Sequence, residues 1–388
     1  LSNAEAETEM TACNPILQFG TSRFLQAHAD LFVGEALARG EALGAITIVQ
    51  GTANPESARR VAAFNQPGGY PVRIRGRADG QVIDEERRVS AVTEALNAID
   101  DWATLRERVA RGVQLILSNT GDRGYERFTE DGPAALDAAQ PPAGFPARLL
   151  VLLHGRYRRG AAPITLMPCE LVVNNGHVLR DTVVGLAKEW ALPDGFVDYL
   201  RHDCVWVNSL VDRIVSEPLA PVGAVAEPYA LWAVEATPGM VLPCRHPQLV
   251  VTDRLESYER LKLFLLNLGH SYLVDCWQQR RAAPADLVVR DAMEDASLRA
   301  ELEAVWTEEV LPVFDAMGEG DAARQYLESV RDRFLNPFLQ HRLADIAQNH
   351  AEKKRRRFGP LLELAARHCP ALPQPRLRTA LAAVEMQL

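Results

Sequence analysis

With 388 residues, 47% of them hydrophobic, the chain can bury a large core and exceeds the length that one core usually supports, so two domains are expected. Its 51 acidic and 42 basic residues give a net charge of -9 and are spread along the chain, which argues against a nucleic-acid-binding surface and leaves a small molecule as the expected ligand. No run is long and apolar enough to span a membrane, and the six cysteines lie far apart without a C-x-x-C pair, a pattern that fits a reducing, cytoplasmic setting.

Ser2-Asn3-Ala4 reads as a cloning remnant, with Met10 as the native start. From Pro15 to Phe19 an apolar run ends at Gly20, and apolar residues at helical spacing follow from Phe24 to Ala38, which predicts strand, tight turn and helix. Further strands are expected at 45–49, 70–75, 113–117 and 164–167, and helices at 98–111 and 147–157. Strands alternating with helices predict an α/β domain with a parallel sheet over residues 10–205. Beyond about residue 250 the strand signals fade. Long amphipathic patterns at 255–279, 284–317, 321–333, 338–349 and 359–367 predict a mostly α-helical second domain, 206–388. The basic run 353–357 reads as a solvated helix face.

The strand, glycine and helix start at Gly20-Thr21-Ser22-Arg23-Phe24 are the parts of a dinucleotide phosphate site, although only the first glycine of G-x-G-x-x-G is present. A plain strand-to-helix turn has the same pattern. At the end of the second strand, where a carboxylate would grip the ribose of NAD, the chain has Gln50, and Arg59 and Arg60 follow downstream. NAD is the expected cofactor, with NADP left open. Asn119 and Thr120, at the end of the strand at 113–117, are placed over the carboxyl edge of the sheet, toward the nicotinamide end.

Lys262, Asn267 and His270 stand in a strongly apolar stretch, Arg260 to Ser271. At about 3.6 residues per turn they share an arc of roughly 140°, and a lysine buried among apolar residues has its charged form disfavoured. Lys262 could then exchange a proton with a hydroxyl, Asn267 could donate to a carbonyl oxygen and His270 could orient a neighbouring hydroxyl. Eight residues, or about 12 Å of helix axis, assign Lys262 and His270 to different substrate positions. In the other reading Lys262 snorkels while Asn267 and His270 are hydrogen-bonded core groups.

The spacing K-x4-N-x2-H formed by Lys262, Asn267 and His270 resembles the hallmark of the mannitol dehydrogenase family, the polyol-specific long-chain dehydrogenases and reductases. Val211-Asp212-Arg213-Ile214 and Arg333-Phe334-Leu335-Asn336-Pro337 resemble two further stretches of that family, so the resemblance covers nearly the whole chain. Within it, residues 117–120, 168–171, 175–176 and 189–193 are similar to the tagaturonate reductase (altronate oxidoreductase) branch. The resemblance implies a Rossmann-type first domain, a helical second domain, no catalytic metal, and Lys262 as general acid/base, with Asn267 polarising the reacting oxygen and His270 binding substrate. Leu171, after Cys169-Glu170, stands where the polyol dehydrogenases place a second oxyanion asparagine.

The resulting expectation is an NAD(P)-dependent oxidoreductase that interconverts a keto sugar acid and its aldonate, as a monomer or homodimer. Gly20, Thr21, Ser22, Arg23, Phe24, Gln50, Asn119 and Thr120 are expected at the cofactor, and Glu170, Asp212, Arg213 and Arg333 at the substrate, the arginines gripping its carboxylate. A dehydrogenase of neutral polyols or polyol phosphates and a non-catalytic nucleotide-binding relative are the alternatives. A metal-dependent hydrolase is disfavoured, because none of the nine histidines form an H-x-H or H-x-x-x-H pair.

Overall fold

A computed structural model describes residues 13–52, 54–121, 124–280 and 284–385. The expected start at Met10 and the remnant before it lie outside the described residues. The strands are β1 (Ile16–Phe19), β2 (Ile46–Gln50), β3 (Tyr70–Ala78), β4 (Gln81–Val89), β5 (Val92–Asn97), β6 (Leu115–Ser118) and β7 (Ile164–Pro168). They continue with β8 (Cys204–Trp206), β9 (Ser209–Asp212), β10 (Val215–Pro218), β11 (Ala224–Ala226), β12 (Leu231–Glu235) and β13 (Leu249–Thr252). Two compact units contain them: the first holds the chain up to Arg73 with Glu86–Ala226 and Ala230–Leu255, and the second holds Ile74–Glu85, Glu227–Tyr229 and the chain from Glu256 onward.

The first unit is built on a parallel six-stranded sheet ordered β5-β2-β1-β6-β7-β8. Its central strands are apolar on both faces because helices such as Trp102–Arg111 and Phe145–Arg158 cover them: Leu17, Leu115, Leu117 and Leu149 are fully buried. From β1 the chain steps outward to β2 and β5, then returns to the other side of β1 with β6. The carboxyl ends of β1 and β6 therefore flank the point where strand order reverses, the place where open α/β sheets bind ligands. The α/β first domain and helical second domain expected from the sequence are both present.

The first unit takes in residues on both sides of the boundary expected at 205. Short strands β9, β12 and β13 form a three-stranded sheet that clusters with the first unit, and strands of four or five residues give too little alternation to read. The hairpin of β3 and β4 turns at Asp79-Gly80, both with positive φ (50° and 72°), the geometry of a tight two-residue hairpin.

In the second unit the helices pack Leu265, Leu273, Trp306, Phe314, Leu327 and Phe358 into a core. The pattern at 284–317 resolves into four segments, and that at 338–349 into one short helix, Leu343–Ile346. The basic run lies in helix His350–His368 and is not a solvated face throughout. Lys354 is buried against Asp275 (2.5 Å), Lys353 donates to the Ile346 carbonyl (2.8 Å) and Arg357 to Ser271 (2.8 Å).

Beneath the first turn of the sheet, Asp30 is fully buried and accepts from the Tyr70 hydroxyl at 2.6 Å. Asp30 Oδ1 and Gln18 Oε1 have no hydrogen-bond partner among the described residues, and a proton on Asp30 supplies a donor there. Burial raises the Asp30 carboxyl to about 7, against the lowering effect of the Tyr70 hydrogen bond and the neighbouring Gln18 amide. The folded chain thus holds a proton that the unfolded chain has lost between about pH 4 and 7, so this stabilisation is complete below about pH 4 and is lost as pH rises through 7. Asp30→Asn, which cannot ionise, is expected to remove a decline on the order of 3 kcal/mol between about pH 5 and pH 8 from the stability–pH profile. Urea unfolding at about pH 5 and pH 8 checks this, and an unchanged slope in the variant refutes it.

Candidate active site

Gly20 follows β1 with φ +114°, and a Cβ there would lie 2.5 Å from the Asn119 carbonyl oxygen, so only glycine lets β1 turn this close to the end of β6. Ser22 caps the next helix, Arg23–Gln26, by accepting from the Leu25 N–H at 3.3 Å. The turn is braced from several sides. Gln26 donates to the Thr21 carbonyl (3.0 Å) and accepts from Gly223 N–H (2.7 Å), Arg60 donates to the same Thr21 carbonyl, and the Thr21 hydroxyl donates to Gln50. Arg23 is exposed and reaches the Ser216 carbonyl (3.3 Å), while Phe24 stacks on His28. Gly20 to Ser22, with Gln50 and Asn119 beside them, therefore form a braced turn at the reversal of the sheet with no side chain at Gly20, which fits the approach of a dinucleotide pyrophosphate.

At the ends of β6 and β7, Glu170 is buried and saturated. Its carboxylate accepts from Ser118 Oγ (3.0 Å), Thr120 N–H (3.0 Å), Thr120 Oγ1 (2.9 Å) and the Tyr125 hydroxyl (3.2 Å). These four hydrogen bonds tie Glu170, expected at the substrate, to the loop that carries Asn119 and Thr120. Asn119 donates to the Cys169 carbonyl at 2.8 Å, and Leu171 is 78% exposed. Asp212 and Arg213 are buried at the end of β9, and Arg213 donates to the Ala27 carbonyl at 2.6 Å, where it caps the helix after the phosphate turn. That hydrogen bond gives Arg213, expected at the substrate carboxylate, a bracing contact.

In the second unit, Lys262–Asn267 is a π-helical segment set between Leu255–Leu261 and Leu268–Gln278. Residues five apart are the bonded pair of a π turn, so Lys262 and Asn267 stand one turn apart on one side; an α-helix would separate them by about 140°. The expected α-helical placement is thereby corrected, and the correction brings these two residues closer together. Side chains from distant helices serve the segment's carbonyls: Trp306 Nε1 donates to Leu265 at 3.1 Å and Arg357 to Asn267 at 3.0 Å. Lys262 and Asn267 are half-buried, not enclosed as the apolar stretch suggested, whereas Phe264, Leu265 and Leu266 face the core.

His270 is buried, stacked on Phe334 (centroids 4.2 Å apart) and edge-on to His341 (5.0 Å). Burial biases His341 toward its neutral form. The sequence reading missed His341; its signal is a histidine soon after the Arg333-Phe334-Leu335-Asn336-Pro337 stretch. Arg333 is likewise expected at the substrate carboxylate. Its Nε and Nη2, the edge that would match a substrate carboxylate, hold Glu227 at 3.0 and 2.9 Å, and its guanidinium lies 4.4 Å from the Tyr229 ring centroid.

A family model described as the mannitol dehydrogenase Rossmann domain matches residues 14–241, and one for the mannitol dehydrogenase C-terminal domain matches residues 254–383. The chain belongs to the mannitol dehydrogenase family. It is an oxidoreductase of that family. Among its relatives, the altronate oxidoreductase of Yersinia pestis is 32% identical over 95% of this chain and 78% of that protein. Those of Halalkalibacterium halodurans and Bacillus subtilis are 30% and 29% identical, covering 89% and 92% of this chain and 69% and 76% of those proteins.

The fold is shared with a substrate-free D-sorbitol dehydrogenase (TM-score 0.81, 20% identity, 96% of this chain and 80% of that one). It is shared too with Pseudomonas fluorescens mannitol 2-dehydrogenase in a ternary complex with NAD and D-mannitol (TM-score 0.69, 19% identity, 96% and 79%). Among the described residues no three or more His, Cys, Asp or Glu side chains gather as a metal-binding set, and no helix is long and apolar enough to cross a membrane.

Proposed function

We propose that this mannitol dehydrogenase family member interconverts a keto sugar acid of the tagaturonate type and its aldonate, with NAD as cofactor. The observation that carries the chemistry is the π turn that sets Lys262 beside Asn267 with His270 in the following helix. The altronate oxidoreductase relatives support the substrate class.

In the first unit Gly20, Thr21, Ser22, Arg23, Phe24 and Gln50 hold the dinucleotide, with Asn119 and Thr120 toward its nicotinamide end. When bound, the nicotinamide supplies or accepts the hydride. Lys262 Nζ donates a proton to the reacting oxygen during reduction and takes it back during oxidation. The Asn267 amide donates to that oxygen as negative charge grows on it, and the ring of His270, held by Phe334 and His341, hydrogen-bonds a neighbouring hydroxyl.

One observation favours a neutral polyol as substrate instead: the carboxylate-matching edge of Arg333 is already filled by Glu227. The purified chain assayed by nicotinamide absorbance against keto sugar acids and neutral ketoses separates the two. The sugar-acid reading predicts a kcat/KM at least about 100-fold higher for the acid, as expected when a polar group is read by dedicated partners. The reverse order supports the polyol reading, and no turnover with either class refutes both.

A further inference from the structure

In helix His350–His368, Lys353 and Arg357 are spaced i,i+4, so their side chains share one face. Lys354, beside them in sequence, has Asp275 as its counter-ion. Lys353 and Arg357 have only neutral partners among the described residues. Lys353 Nζ donates to the Ile346 carbonyl (2.8 Å), and Arg357 Nη1 donates to the Asn267 carbonyl (3.0 Å) and to Ser271 Oγ (2.8 Å). Both side chains are half-buried. Burial holds each below its ordinary pKa, and the Arg357 charge adds to the effect on Lys353. A desolvated cation is costly without an acid, which is why Arg260 is paired with Glu319 (2.6 Å) and Arg331 with Glu303 (2.6 Å) in the same unit.

The two cations adjoin the residues assigned to the sugar. Arg357 holds the backbone of Asn267, in the π turn that also carries Lys262. His341 is governed by burial and then by the opposed charges of Asp345 and Lys353, and it stands edge-on to His270 (5.0 Å). Asp345 is itself held by Arg342 (3.0 Å). Because Arg357 uses Nη1 for both of its hydrogen bonds, its Nε and Nη2 are left without a partner among the described residues, and neither atom is buried. That is the edge which Arg333 commits to Glu227.

We infer that Lys353 and Arg357 form the subsite for the carboxylate of the sugar acid, with the Nε–Nη2 edge of Arg357 as its bidentate partner and Lys353 as a second positive charge. A carboxylate there offsets both cations with charge-assisted hydrogen bonds. The inference rests on the reading of a keto sugar acid as substrate, and it gives that acid a partner other than Arg333.

The test is the ratio of kcat/KM for tagaturonate to that for tagatose, the neutral ketose of the same configuration, in the wild-type chain and in Arg357→Met, Lys353→Met and Arg357→Lys. Damage to the π turn or to folding lowers both rates together, so the ratio reads the carboxylate contact alone. Arg357→Met is expected to reduce the ratio at least about tenfold, chiefly through KM for tagaturonate, as the loss of a charge-assisted hydrogen bond does. Lys353→Met, which gives up a single carbonyl contact, should reduce it in the same direction independently of the turn. Arg357→Lys keeps the charge without the fork and should retain part of it. An unchanged ratio in both methionine variants overturns the inference and leaves the sugar-acid reading standing. A wild-type preference for tagatose overturns that reading and the inference with it.

Discussion

Replacing Lys262 by methionine is expected to lower turnover by about 10²–10⁴-fold, the range supplied by a positioned general acid or base. The methionine fills similar space in a half-buried position, so folding and dinucleotide binding should be unaffected. Lys262→Arg is the sharper variant. It keeps a positive charge and hydrogen-bond donors but cannot release a proton near neutral pH, so it should fail as methionine does. Steady-state rates with the preferred substrate from the panel check both. Arginine activity within about tenfold of wild type would mean that the position needs charge and not proton exchange.

Arg333→Leu should destabilise the chain by about 3–5 kcal/mol, because it removes the ion-pair partner of the Glu227 carboxylate in a site where both side chains are only 2% exposed. Guanidinium denaturation measures this. The double variant Arg333→Leu with Glu227→Leu should recover most of the loss, since removing both charges also removes their desolvation cost. If Arg333 served chiefly to grip a substrate carboxylate, the single variant would unfold within about 1 kcal/mol of wild type and show only a raised KM.

The sequence reveals most clearly what rests on local pattern. The turn at Gly20 follows from an apolar strand ending in glycine, and the parallel sheet from apolar runs that become β2, β6 and β7, whose residues are buried because helices cover both faces. Lys262, Asn267 and His270 stand out because polar residues are expensive in so apolar a stretch. What escapes the sequence depends on distant partners. The π segment is served by Trp306 and Arg357, which lie 41 and 90 residues from the carbonyls they reach. Arg333 meets Glu227 across 106 residues, and Lys354 meets Asp275 across 79. A basic run and a conspicuous arginine therefore look like surface or ligand chemistry until the fold supplies their counter-ions. Glu170 is a similar case, since its four donors come from the neighbouring strand end and loop.

Isotope transfer tests the central proposal most directly. The purified chain would be given tagaturonate and a reduced nicotinamide dinucleotide deuterated at its reacting ring carbon, and the product read by mass spectrometry. An aldonate carrying one deuterium on the former carbonyl carbon is expected from the wild-type chain, and none detectable from Lys262→Met over the same time. Unlabelled product from the wild type, or equal labelling by the variant, would contradict it.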